Sequence, residues 1–237
     1  MPIWMPPIIA FLLGSIPFGL LIAKSQGVNI REHGSGNIGA TNVLRVVGKK
    51  YGITCFVLDF FKGLIPTFIA INFIRFDQPA DIVAKNFMLL PSLQDHASIL
   101  SQINAQGLHI LTGLCAVMGH NYSPWVSFKG GKGVATSAGV ITALAPFGLL
   151  ILGFIWFVSF KLTRYVSVAS ILASVSLPFV VIYGSWRHGK LANDTWNKPL
   201  LAFAIFIALM SVWKHRSNIV KLMNGTENRF TPKSKKS

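Results

Sequence analysis

The chain has 237 residues, 52% of them hydrophobic and 12% charged, with a mean hydropathy of +0.55. Soluble domains carry about 25% charged residues, so a single water-facing globule is excluded and lipid must solvate much of the chain. Lys and Arg number 22 against 7 Asp and Glu, a net charge of +15; that imbalance calls for anionic partners, and beside so much apolar sequence these are membrane lipids and small anions, not nucleic acid.

The first apolar stretch, residues 4–23, lacks the basic leader and cleavage site of a secretory signal and reads as a retained span. Gly14-Ser15-Ile16-Pro17-Phe18-Gly19 interrupts it and predicts a kink or close packing. The second span, 51–74, carries Asp59 and Lys62 three residues apart on one face. Charges at that depth must pair or face a polar cavity; an ion pair bracing the bundle is the expected role, and substrate contact is the alternative. A third span covers 107–119. The stretch 134–160 would run about 40 Å as one helix against a hydrocarbon core of about 30 Å, so it splits around Pro146 into two short helices. Spans at 165–184 and 199–213 follow. The expected fold is all-α, a polytopic integral membrane protein of seven transmembrane helices, two of them short. Residues 1–230 form one domain, and 231–237 form a basic tail expected to be disordered. Cys55 and Cys115 lie in apolar runs and are expected to be buried free thiols.

Seven crossings place residues 24–50, 120–133, 161–164 and the C-terminal tail on one face, with 16 of the 22 Lys and Arg. The other face, including 75–106 and 185–198, holds Arg75, Lys85, Arg187, Lys190 and Lys198, offset by Asp77, Asp81, Asp95 and Asp194. The positive-inside rule then puts the N-terminus outside and the C-terminus in the cytoplasm.

Three cytoplasmic segments carry the chemistry. His33–Arg45 holds Gly34, Gly36 and Gly39, which let backbone N–H groups approach an anion, with Ser35, Asn37, Thr41 and Asn42 as further hydrogen-bonding groups and Arg45 as a two-pronged phosphate donor. Its Gly-x-Gly-x-x-Gly string is not a dinucleotide fingerprint, because no strand precedes it and Asp59, twenty residues on, lies in a span. Gly119–Thr136 contains His120, Gly130, Gly131 and Lys132 and runs into an apolar helix whose N-terminus could face an anion. It is not a Walker loop: position 126 is Val and Gly133 follows the lysine. In His215–Arg229, helical spacing puts His215, Asn218 and Leu222 on one face and Gly225 stops the helix. Each segment could instead be an ordinary polar turn or a basic flank touching headgroups.

Together these residues resemble the bacterial acyl-phosphate:glycerol-3-phosphate acyltransferases over nearly the whole chain: Gly14–Gly19, the first loop through Arg45, Asp59–Lys62–Gly63, Gly119–Thr136, and His215 through Glu227. The resemblance implies transfer of a fatty acyl group from acyl phosphate to the primary hydroxyl of glycerol 3-phosphate. The products would be lysophosphatidate and phosphate, formed in the cytoplasmic (inner) membrane of a bacterium without coenzyme A, acyl carrier protein, metal or other cofactor. It implies Ser35 and Arg45 at the transferring phosphate, Lys132 stabilising developing charge, and His215 and Asn218 at glycerol 3-phosphate. Gly34, Gly36, Asn37, Thr41, Asn42, His120, Gly130, Gly131 and Glu227 would shape the substrate site. Lys221 stands where the family often has Arg, which loses bidentate geometry, and His33 before Gly34 is unusual. Neither a Gly-x-Ser-x-Gly elbow nor a His-x4-Asp pair is present, so direct transfer governed by positioning and charge is expected. The competing readings are a transporter of a phosphorylated small molecule, favoured by broken helices and an intramembrane pair, and a non-enzymatic scaffold for anionic lipid.

Overall fold

A computed structural model describes residues 4–73, 99–192 and 196–230. Expectations for most of 75–106, for Asp194 and for the tail 231–237 fall outside the described residues. Among the described residues ten α-helices follow in chain order: α1 Met5–Ser15, α2 Phe18–Ser25, α3 Ala40–Val46, α4 Lys49–Phe73, α5 Ile99–Asn121, α6 Val134–Leu144, α7 Pro146–Thr163, α8 Val166–Arg187, α9 Lys198–Lys214 and α10 Arg216–Met223. By length and composition four spans qualify as membrane-crossing (α1 with α2, α4, α7 and α8), and α9 joins them if its 53° bend into α10 lies within one span. α6 is apolar but short. The described residues are those of a helical membrane protein, with four or five qualifying spans against the seven crossings expected.

The breaks have local causes. Pro146 occupies the first turn of α7, where its missing N–H costs nothing, and it drives Ala145 to φ −154°, ψ 70°, out of the helical region. This is the split expected from bilayer thickness. α7 ends on Arg164 in the left-handed conformation. At the α1–α2 break, Pro17 frees carbonyls that other elements then satisfy: Ser123 Oγ donates to Ser15 O at 2.6 Å and Lys62 Nζ to Ile16 O at 2.8 Å. α3 was expected to be loop; it forms a short helix laid against α4, with Leu44 over Gly52.

The bundle is built on two small-residue crossings. A Cβ on Gly14 would fall 2.1 Å from Ala116 O, and one on Gly119 2.2 Å from Phe11 O, so α1 and α5 touch backbone to backbone. Gly63 and Gly139 do the same for α4 and α6, with hypothetical Cβ atoms 2.1 Å from Thr136 O and 2.0 Å from Phe60 O. α7, α8 and α9 pack in sequence beside this pair. Their outer faces expose Phe147, Phe154, Phe179 and Leu209, an arrangement that only lipid can solvate. Cys55 is buried as expected, but Cys115 is half-buried; both are free thiols.

Candidate active site

Lys132 follows the Gly130–Gly131 turn and lies just ahead of α6. Its Nζ donates to Asn218 Oδ1 at 2.5 Å. Asn218 Nδ2 in turn donates to Glu227 Oε1 at 2.7 Å, and Ser167 Oγ at the start of α8 donates to the same oxygen at 2.9 Å. Residues separated by up to 95 positions in the chain thus form one line of hydrogen bonds. Arg45 joins from α3: its Nη2 donates to Asn228 O at 3.0 Å and its guanidinium lies 4.7 Å from the centre of the Phe230 ring. The stretch after α10 is anchored to the α7–α8 turn by Phe230 N donating to Arg164 O at 2.9 Å.

Burial holds the Lys132 ammonium down to about 8, with Arg45, Lys221 and Lys214 adding repulsion and Glu227 opposing them. A lysine held there is still largely an ammonium at neutral pH.

The first loop is shaped by Asn42. Its Oδ1 accepts from Ser35 N at 2.9 Å, and its Nδ2 donates to His33 O at 3.1 Å and Ile30 O at 3.3 Å. Gly34 has φ +63°, and a Cβ there would sit 2.3 Å from Asn42 Oδ1, so only glycine lets the loop close on this clamp. Ser35 is thereby held at half exposure, and Thr41 lies one turn before Arg45 on α3. Asn37 Oδ1 caps Gly39 N at 2.8 Å. Gly36, Asn37 and Gly130 line a separate polar cleft of about 300 Å³ together with Arg31, Lys129 and Arg216.

His215 is the hinge between α9 and α10. Its Nδ1 bonds Ser211 O at 2.8 Å, leaving Nε2 for another partner. His120 is buried beneath the glycine turn: Gly131 N donates to His120 O at 3.1 Å, and a Cβ on Gly131 would lie 2.1 Å from His120 Nε2. The other ring nitrogen stands 3.6 Å from Asp59 Oδ1, and Asp59 pairs with Lys62 at 2.8 Å. The ion pair expected inside the second span is therefore present, with both partners buried.

Beside Lys132 opens an apolar groove of about 320 Å³, walled by α4, α5, α6, α7, α8 and α9 through residues such as Phe60, Val117, Ile141, Leu152, Leu177 and Ile207. It is lined almost wholly by carbon, with Lys132, Asn121 and Ser211 among its few polar side chains. Sequence reasoning missed Ser167, Asn121, Ser211 and Phe230. No local pattern marks them, since their partners or neighbours lie in other segments of the chain.

A cation joined to hydrogen-bonding side chains at the mouth of a greasy groove is suited to a molecule with an anionic head and an apolar tail. The sequence model described as Glycerol-3-phosphate acyltransferase matches residues 4–225. The chain is 40% identical over 223 residues to the glycerol-3-phosphate acyltransferase of Aquifex aeolicus, covering 94% of this chain and 96% of that one. It is 42% identical over 221 residues to that of Geobacter metallireducens, covering 93% and 94%. Two crystal structures of PlsY (YgiH), described as an integral membrane glycerol 3-phosphate acyltransferase, share the fold. The glycerol 3-phosphate form matches at a TM-score of 0.76 and 39% identity over 97% of this chain and 96% of that one. The lysophosphatidic acid form matches at 0.73 and 38%, over 97% and 95%. Fold and relatives agree over most of the chain, and it belongs to the glycerol-3-phosphate acyltransferase family.

Proposed function

We propose that this membrane enzyme moves a fatty acyl group from acyl phosphate to the primary hydroxyl of glycerol 3-phosphate, releasing lysophosphatidate and inorganic phosphate. The hydroxyl oxygen adds to the carbonyl carbon of the mixed anhydride, the bond from that carbon to the phosphate oxygen breaks, and a substrate phosphate takes the hydroxyl proton. The observation that carries this reading is Lys132, which joins the polar line through Asn218 to Glu227 at one side and the apolar groove at the other. The solved relatives described as glycerol 3-phosphate and lysophosphatidic acid forms fit the acceptor and product.

In this reading Ser35 and Arg45 hold the transferring phosphate, Lys132 offsets charge as it develops, and His215 and Asn218 bind glycerol 3-phosphate. Glu227 orients Asn218 by accepting a hydrogen bond from its amide Nδ2. Gly34, Asn42 and Thr41 fix the loop that presents Ser35; Asn37 and Gly130 supply backbone N–H groups; Gly36 and Gly131, whose N–H groups go to His33 O and His120 O, hold the two turns in shape; His120 supports the glycine turn from below. Because the anhydride is already activated, positioning and charge supply the rate, and no protein nucleophile is required. The site faces the cytoplasm of a bacterial inner membrane, seven crossings from an outside N-terminus.

The donor is the discriminating measurement. Purified protein in detergent should form lysophosphatidate from acyl phosphate and glycerol 3-phosphate, and give none with acyl-coenzyme A or acyl carrier protein as donor. Equal turnover with a thioester would end the acyl-phosphate reading. The transporter alternative has one specific support, the buried Asp59–Lys62 pair beside a broken helix. Lys62 is already satisfied by Asp59 and Ile16 O, which suits bracing better than transport.

A further inference from the structure

Several buried hydroxyls on the helices of this protein donate to a carbonyl three or four residues back. Ser15 bonds Leu12 O, Thr67 bonds Gly63 O, Thr112 bonds Leu108 O and Ser185 bonds Val181 O. Thr136 on α6 departs from this with an unpartnered Oγ1 among the described residues, and so does Ser211 on α9. Ser211 is buried, and its Oγ has no hydrogen-bond partner among the described residues. Asn121, the last residue of α5, is fully buried, and neither Oδ1 nor Nδ2 has a partner among the described residues. A buried amide left unmade costs on the order of 1–3 kcal/mol, so native structures keep such groups for a purpose. Both residues line the apolar groove, together with Lys132.

The backbone around them is already committed elsewhere. Asn121 O accepts from Lys214 Nζ at 2.9 Å, and Ser211 O accepts from His215 Nδ1 at 2.8 Å. These bonds fix the two residues while leaving their side chains unused. Gly133 next to Lys132 leaves room for the amide, since a Cβ there would fall 2.7 Å from Asn121 Oδ1. An acyl chain offers carbon along its length and one polar atom, the carbonyl oxygen, at the end that meets phosphate. A groove of carbon with two unused donors beside its lysine has the complementary pattern.

We infer that Asn121 Nδ2–H and Ser211 Oγ–H bind the acyl carbonyl oxygen and stabilise the negative charge it acquires when the glycerol hydroxyl adds to the carbonyl carbon. The inference rests on the acyl-transfer reading. The added electron pair from the hydroxyl moves the carbonyl π electrons onto oxygen, where the two donors meet them; collapse restores the double bond and expels phosphate. Donors aimed at that oxygen act on the transition state more than on the ground state.

The test uses a 2-oxoalkyl phosphonate with a ¹³C-labelled carbonyl, in which a methylene replaces the bridging oxygen of acyl phosphate so that no transfer occurs. Bound to the wild-type protein in detergent, its carbonyl infrared band should move to lower wavenumber than in empty micelles, and Asn121→Leu or Ser211→Ala should reverse part of that shift. With acyl phosphate, Asn121→Leu should lower kcat by about 10²–10³-fold while the KM for glycerol 3-phosphate holds. Ser211→Ala, a smaller change that keeps the helix, should lower kcat by roughly tenfold or more. A bound phosphonate whose band is unshifted in the wild type, or variants with wild-type kcat, would overturn this inference and leave acyl transfer standing. A phosphonate that fails to bind the wild type overturns the acyl-phosphate reading and this inference with it.

Discussion

Lys62 and Lys132 are both drawn out of water, yet their surroundings answer their charge in different ways. Lys62 is 6% exposed, meets a carboxylate directly at 2.8 Å and donates a second bond to Ile16 O. Its positive charge is cancelled by a partner one turn away on the same helix. Lys132 touches the neutral amide of Asn218, and its carboxylate, Glu227, is one side chain further on. Asn218 transmits orientation but not neutralisation, so Lys132 keeps its charge for something else. A closed pair braces a fold, whereas a cation whose counter-charge stands one residue away is a place for an anion to arrive. The same residue type is structural in one case and chemical in the other because of who holds its counter-charge.

The sharpest way to break this contrast is to delete the counter-charge of the closed pair. Asp59→Ala leaves Lys62 buried and unpaired, which costs about 3–5 kcal/mol and should appear as a large drop in the thermal melting temperature in detergent. Replacing both residues, Asp59→Leu with Lys62→Met, should restore much of that stability, because a well-packed apolar pair can substitute for a buried salt bridge. An Asp59→Ala protein that melts normally but has lost turnover would move the pair from bracing into the reaction. Next in size is Lys132→Ala, expected to lower kcat by about 10²–10³-fold, or about 3–4 kcal/mol of transition-state stabilisation, with the melting temperature held. A collapse in stability there, with kcat preserved in the folded fraction, would make Lys132 another Lys62.

How much of this was legible in the sequence follows from the range of the interaction concerned. Spans and the Pro146 break were legible because hydropathy and proline act within a few residues. Asp59 and Lys62 were legible as a pair because helical spacing puts them on one face. α3 was not: Thr41, Asn42 and Val43 are weak helix formers, and the helix exists because it lies on α4 at Gly52. Asn42 is named by the resemblance as shaping the site, but nothing local says that its amide would do so by clamping the loop at Ser35 N and His33 O. The Lys132–Asn218–Glu227–Ser167 line could not be read locally; the resemblance supplied Lys132, Asn218 and Glu227, and nothing pointed to Ser167. Gly130 and Gly131 drew notice as anion-binding glycines, and the structure adds a steric reason: His120 and Asn121 fill the space where side chains would go.

The glycine crossing of α4 and α6 links the two lysines, because α4 carries Lys62 and α6 follows directly on Lys132. Gly139→Ala would force a methyl to within 2.0 Å of Phe60 O, so the helices must separate. Overpacking of this kind costs about 1–3 kcal/mol, read as a fall in melting temperature. Activity should fall further than stability alone explains, since separating the helices shifts the start of α6 and Lys132 with it. Equal melting temperatures for Gly139→Ala and the wild type would mean that this crossing is looser than its geometry states.

The smallest expected effect is the most specific to the open lysine. With Lys132 held to about 8 in the empty site, the ammonium is present below that pH and lost above it. The quantity kcat/KM reports the free enzyme, so it should be level at neutral pH and decline by roughly tenfold per unit above about 8. A bound phosphate favours the ammonium, which places the decline in kcat at higher pH than that in kcat/KM. Glu227 raises the Lys132 pKa, so Glu227→Gln should move the kcat/KM decline downward. Lys132→Arg should remove it, because a guanidinium stays charged throughout the accessible range. Should the decline survive unchanged in Lys132→Arg, another group titrates it and charge at residue 132 is not what the reaction senses; should it vanish with activity largely retained, the site needs the charge more than the shape of the lysine.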